Sequence, residues 1–126
     1  MKILVTGSTG FVGHHVVQYL LDHNYTVIAT SRDEVKAQRK DWYERVKYIP
    51  FDISNYPENI NVFTYLGEPD VLIHLAWDGL PNYLNFIHID KNLFPHYQFL
   101  KNYIESGGNH ILVTGTCLEY GMTSGE

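Results

Sequence analysis

Short apolar runs alternate along this chain with longer stretches whose apolar residues recur at helical spacing. Ile3, Leu4, Val5 and Thr6 form a nearly unbroken apolar run ending at Gly7, as a strand covered on both faces requires. Val12, Val16, Val17, Leu20 and Leu21 then line one face of a helix predicted over 11–23. A β-branched strand is expected over 25–30, a charged, helix-permissive stretch over 33–45 and a third strand over 47–53. Pro50 removes a backbone donor from that third strand and suits it to an edge. A short helix is expected within 58–66, with Pro57 suited to its first turn. A fourth strand follows over 71–76, then a long helical stretch over 83–105 kinked at Pro95. Gly107 and Gly108 introduce a fifth strand over 110–114.

Strands separated mostly by helical segments imply parallel pairing through right-handed crossovers. The expected fold is therefore an α/β, doubly wound parallel sheet in the order 3-2-1-4-5. The run Ile3-Leu4-Val5-Thr6-Gly7 recurs as Ile111-Leu112-Val113-Thr114-Gly115. Without flanking similarity, this reads as two buried strands with equivalent endings rather than as a duplication.

Length and charge narrow the classes. A chain of 126 residues, 44% of them apolar, supports one domain with its own core and is short for two. One cysteine, Cys117, allows no internal disulfide, and a reducing cytoplasm is the default expectation. A net charge of −5 argues against nucleic-acid or acidic-membrane partners. The apolar runs are too short to cross a bilayer, and no signal-peptide pattern opens the chain. The seven histidines show no HxxH or HxH spacing, so no metal site is expected. Cys117 has no assignable His or Asn partner and reads as a buried structural thiol.

Gly7-Ser8-Thr9-Gly10-Phe11-Val12-Gly13 carries the chemistry: a GxxGxxG spacing directly after a strand and opening a helix. Gly7 allows the turn off the strand, Gly10 lets backbone approach a pyrophosphate, and Gly13 brings helix and strand together. The backbone N–H groups of residues 8–12 are expected to hold the diphosphate at the positive end of the helix. This makes the fold Rossmann-type and the ligand a dinucleotide. About 20 residues past such a loop, an acid usually accepts from an unphosphorylated ribose. Here Ser31 stands in its place and Arg32 follows. A hydroxyl and a guanidinium suit a 2′-phosphate, which favours NADP over NAD. The alternative is a solvated Arg32, with Asp33 serving the ribose.

With these segments in view, the chain resembles the extended short-chain dehydrogenase/reductases, the NAD(P)-dependent nucleotide-sugar epimerases and dehydratases. The resemblance spans nearly the whole chain. It rests on the glycine loop, on Phe51-Asp52-Ile53, on Leu72-Ile73-His74-Leu75-Ala76, and on Val113-Thr114-Gly115-Thr116-Cys117-Leu118-Glu119-Tyr120-Gly121. It implies that Asp52 and Ile53 meet the adenine and that Leu75, Ala76 and Trp77 line the cofactor. It also implies that the Thr116 hydroxyl meets the reacting oxygen and that Asn92 supports the active site. The ordinary alternatives are a Thr116 that only caps its strand and an Asn92 that only accompanies the Pro95 kink.

Family chemistry is hydride transfer at a sugar carbon with a Tyr-xxx-Lys acid/base pair beyond the fifth strand. That pair is not in this sequence. Tyr43 with Lys47 and Tyr97 with Lys101 match the spacing, but lie on the adenosine side of the sheet and on the preceding helix. The expectation is thus residues 1–126 as the cofactor-binding portion of an epimerase or 4-keto-reductase, truncated before its catalytic helix and inactive alone. Its nucleotide-sugar substrate would belong to the full-length parent. Cys117 and Leu118 stand where dehydratases carry an Asp-Glu pair, which ranks dehydration last. The NADP preference leans toward a reductase. The alternative is a non-catalytic NADP-binding sensor or regulatory module. An exposed fifth strand would also invite self-association through its edge.

Overall fold

The computed structural model of the chain describes residues 1–82 and 84–116. Five parallel strands, β1 (Lys2–Thr6), β2 (Thr26–Ser31), β3 (Lys47–Pro50), β4 (Val71–His74) and β5 (Ile111–Val113), form one sheet in the order β3-β2-β1-β4-β5. The expected doubly wound topology is the observed one, with β3 and its Pro50 at an edge.

The period-two alternation of β1 explains why both faces carry helices. Leu4 pairs in register with Ile28 and Leu72, and all three pack against Val62, Leu66, Phe99 and Tyr103. These come from α3 (Val62–Tyr65), the residue after it, and α4 (Phe94–Glu105). Ile3 and Val5 face the other way, onto Val17 and Leu20 of α1 (Phe11–Asp22), Ala37 of α2 (Glu34–Gln38), and Trp42.

Polarity appears at one end of the central strands. Thr6 pairs with Thr30 on one side and with His74 on the other. These buried polar residues end three adjacent apolar strands at the C-terminal edge of the sheet, where ligands of open α/β sheets bind.

Several boundaries depart from the expected ones for identifiable reasons. The stretch 33–45 is not one helix. Asp33 caps α2 by accepting from Lys36 N–H, but the chain then turns inward to bury Trp42, whose indole N–H donates to His14 Nδ1 at 3.0 Å. A 3₁₀ turn at Tyr43–Arg45 follows. The third strand stops at Pro50 rather than at 53, and Asp52 begins a turn by accepting from Ser54 N–H. Strand β4 stops at His74 because Leu75 and Ala76 direct their N–H groups to the Thr6 hydroxyl instead of to a neighbouring strand. Helix α3 is capped by Asn61, so Pro57 lies outside it. A π-helical segment, His88–Leu93, precedes α4, and Pro95 sits in the first turn of α4. The missing N–H of Pro95 falls in the turn where the π segment gives way to the α-helix.

No helix among the described residues is long and apolar enough to cross a membrane.

Candidate functional site

The glycine loop leaves β1 and enters α1 with Gly7 in the left-handed region at φ 66°. A Cβ on Gly7 would lie 2.8 Å from the backbone of Ala76, and one on Gly13 would lie 2.2 Å from the Gly7 carbonyl oxygen. Gly7 therefore serves both the turn and the approach of β4, while Gly13 lets the first turn of α1 tuck beneath the loop. Gly10 differs. It is extended, at φ −71° and ψ 175°, and its Cβ would find only the Gly7 carbonyl oxygen, at 3.2 Å. The protein itself makes little demand for glycine at position 10.

The loop's donors divide into two sets, which narrows the expected cradle of residues 8–12. Ser8 N–H donates to Thr30 O at 3.2 Å and Gly10 N–H to Gly7 O at 3.0 Å, so neither points at a ligand. The Ser8 hydroxyl also donates to Thr30 O, which makes Ser8 a buried tie to β2. The first turn of α1 has no side-chain cap, and its earliest internal bond runs from His14 N–H to Gly10 O. Phe11, Val12 and Gly13 thus present the unpaired N–H groups that every helix start leaves. With the helix dipole behind them, they form an anion site.

Beside this turn lies a cavity of about 350 Å³. Gly7, Thr9 and Gly10 form one wall, and Ser31 and Arg32 with Asp52 and Ile53 form another. Leu75, Ala76, Trp77 and Asn92 close the far end. Residues widely separated in sequence that were expected around a cofactor thus meet in one crevice. Thr116, past β5, is exposed and is not among the residues that line the crevice. Cys117, Leu118, Glu119, Tyr120 and Gly121 lie outside the described residues.

The residues expected to take a 2′-phosphate are engaged elsewhere. The Tyr48 hydroxyl donates to Ser31 O at 2.9 Å, so the Ser31 hydroxyl, also 2.9 Å from it, donates its proton to Tyr48. That leaves Ser31 an acceptor toward the crevice. Arg32 is bound two-pronged to Asp78, with Nη1 to Oδ2 at 2.8 Å and Nη2 to Oδ1 at 3.0 Å. Asp33 is occupied as the cap of α2. Lys36 also lines the crevice and, among the described residues, makes no ion pair. The Asp52 carboxylate accepts from both the N–H and the hydroxyl of Ser54 through one oxygen.

Asn92, 1% exposed, accepts from Asp78 N–H at 3.3 Å and donates to Asp78 O at 2.9 Å. It therefore grips the backbone just beyond β4. Trp77 lies with its ring nearly parallel to that of His88, its indole N–H donating to Nδ1 at 3.0 Å. The His88 proton is then on Nε2, donating to Asn82 O at 2.7 Å.

His74 is the buried, hydrogen-bonded group that a histidine within an apolar strand is expected to be, and its partners, which the sequence does not indicate, form a relay. Thr6 Oγ1 accepts from Leu75 and Ala76 N–H, so its own proton goes to His74 Nδ1 at 2.9 Å. His74 Nε2–H then donates to His96 Nδ1 at 2.8 Å, and His96 lines the crevice. Burial, reinforced by His96, pushes the His74 pKa from 6.5 down to about 3; burial also lowers that of His96. Both rings are neutral at pH 7. Between pH 6.5 and about 3 the unfolded His74 binds a proton that the folded one refuses, so stability falls with pH across that window. The loss approaches about 1 kcal/mol per pH unit. Urea unfolding is expected to show a lower midpoint at pH 5 than at pH 7, and equal midpoints would contradict the relay.

Comparison with known proteins follows the same lines. The model of the NAD dependent epimerase/dehydratase family matches residues 3–125. The chain is 31% identical over 125 residues to dTDP-6-deoxy-L-talose 4-dehydrogenase (NAD(+)) of Aggregatibacter actinomycetemcomitans, covering 99% of this chain and 45% of that protein. UDP-glucuronic acid 4-epimerase from Bacillus cereus, solved in complex with NAD, superposes with a TM-score of 0.72 at 27% identity, covering 98% of this chain and 43% of that one. Gre2 from Candida albicans, solved with NADPH, gives 0.73 at 25% identity, with 92% and 37% covered. The chain spans less than half the length of these relatives.

Proposed function

Because the chain belongs to the NAD dependent epimerase/dehydratase family, we propose that it is the dinucleotide-binding portion of an enzyme that moves hydride at a sugar carbon of a nucleotide sugar. The carrying observation is the open first turn of α1, with unpaired N–H groups at Phe11, Val12 and Gly13 directly after Gly10, which lines the crevice. The glycine geometry fits a dinucleotide: apart from its chain neighbours and the Gly7 carbonyl oxygen at 3.2 Å, no other heavy atom of the protein would lie within 4 Å of a Cβ at Gly10. A nicotinamide dinucleotide bound there would supply a hydride acceptor or donor. The first turn of α1 would hold the diphosphate, while Asp52 and Ile53 would flank the adenine. Leu75, Ala76 and Trp77 would shield the far end from water, and Asn92 holds the backbone of that wall in place.

The parent reaction is read as 4-keto reduction, or its reverse, rather than dehydration. The name of the Aggregatibacter relative, a 4-dehydrogenase, supports this, as does the absence of an Asp-Glu pair at Cys117 and Leu118. The Thr116 hydroxyl would meet the reacting oxygen. In the parent enzyme the acid/base Tyr-xxx-Lys pair would come from outside residues 1–126.

Arg32 and Lys36 at the ribose end support NADP as the cofactor. A second reading, NAD, is favoured by the Ser31 hydroxyl, which faces the crevice as an acceptor suited to a ribose 2′-hydroxyl. Calorimetric titration of the wild type and Arg32→Ala with both dinucleotides decides between them. NADP+ affinity is expected to fall roughly tenfold or more on losing a charge-assisted contact, with NAD+ affinity nearly unchanged. A ratio of NADP+ to NAD+ affinity left unchanged by Arg32→Ala would establish the NAD reading instead.

A further inference from the structure

Arg32 lies at the end of β2 and Asp78 just beyond β4, so their ion pair joins the two walls that flank the glycine loop. Both side chains line the crevice. The contact is a fork on a fork, using two guanidinium nitrogens and both carboxylate oxygens. A phosphate approaching Arg32 would use that same two-pronged face. Asp78 therefore occupies the guanidinium in the way a phosphate would.

Its placement is also built. Asn92 is buried and holds both the N–H and the carbonyl of Asp78, fixing the backbone from which the carboxylate projects. The neighbouring acid, Asp33, cannot substitute, since its carboxylate caps α2. The two ends of the pair are about half exposed, at 54% and 44%, so exchange for a ligand anion carries no burial penalty.

We propose that Asp78 is a specificity-determining residue: an internal competitor that ties up Arg32 and sets how strongly this site prefers a 2′-phosphorylated dinucleotide over an unphosphorylated one. A 2′-phosphate must displace the Asp78 carboxylate, whereas a ribose 2′-hydroxyl need not. Asp78 thus lowers NADP+ affinity selectively and brings the two cofactors closer together. Asn92 acts through Asp78 as a positioning residue. The proposal rests on the reading that Arg32 meets the 2′-phosphate.

The test is a double-mutant cycle, with NADP+ and NAD+ titrated calorimetrically into the wild type, Asp78→Asn, Arg32→Ala and the double variant. An exposed ion pair is worth at most about 1 kcal/mol. Asp78→Asn is therefore expected to raise NADP+ affinity about fivefold and leave NAD+ affinity within about twofold, with the gain vanishing in the Arg32→Ala background. Equal gains for both dinucleotides, or a gain that survives without Arg32, would mean that Asp78 acts only as a general negative charge and would overturn the proposal. No gain at all would overturn it too. If Arg32→Ala lowers NADP+ affinity while Asp78→Asn does nothing, the competitor role fails and the 2′-phosphate reading stands. If Arg32→Ala leaves the ratio of the two affinities unchanged, both fall.

Discussion

Replacing Gly13 with alanine is expected to destabilise the fold by about 3 kcal/mol, which chemical denaturation of the variant beside the wild type measures directly. The added methyl would be placed 2.2 Å from the Gly7 carbonyl oxygen and 2.8 Å from Ser8 Cα. Both obstacles are backbone, and neither is free to yield. Ser8 is tied to Thr30 through its N–H and its hydroxyl, and Gly7 is held against the backbone of Ala76. Relief would require α1 to lift away from β1, opening the core in which Val17 meets Ile3 and Val5. A variant as stable as the wild type would show that α1 does not need this close approach.

Gly10→Ala is expected to separate binding from folding. The backbone there is already extended, at φ −71°, and suits alanine. The nearest heavy atom to the new methyl would be the Gly7 carbonyl oxygen at 3.2 Å, so a small adjustment admits it. Stability should stay within about 1 kcal/mol of the wild type, because restricting the unfolded chain offsets the contact. Dinucleotide affinity should instead fall at least roughly tenfold, since the methyl takes the space through which backbone approaches a diphosphate. Calorimetric titration and urea unfolding of the same sample check both halves. Undiminished affinity would mean that the diphosphate does not pass over Gly10.

These two glycines look alike in the sequence, and only the neighbours in space tell them apart. What was legible was whatever is encoded locally. The unbroken apolar run of β1 foretold a strand covered on both faces, Pro50 foretold an edge, and the GxxGxxG spacing located the open turn of α1. The strand order is the one that a doubly wound sheet with a dinucleotide-type glycine loop after its first strand implies. What was not legible depends on partners distant in sequence. Nothing near Arg32 announces Asp78, and nothing near Ser31 announces the Tyr48 hydroxyl that takes its proton. The broken helix after residue 38 arises because Trp42 buries itself beside α1 and bonds His14. The histidine relay likewise depends on Thr6, His74 and His96 converging from three elements. A polar residue at the end of an apolar strand was the available sign, carried by both Thr6 and His74, but it names no partner.

The most direct measurement is an amide nuclear magnetic resonance titration of this chain with NADP+ and, separately, with NAD+. Saturable shifts are expected to be largest at the N–H groups of Phe11, Val12 and Gly13, with those of Ser8 and Gly10 moving less because carbonyl oxygens of the chain already accept from them. Saturable binding that left the first turn of α1 unmoved, or no saturable binding of either dinucleotide, would contradict the assignment of that turn as the diphosphate site.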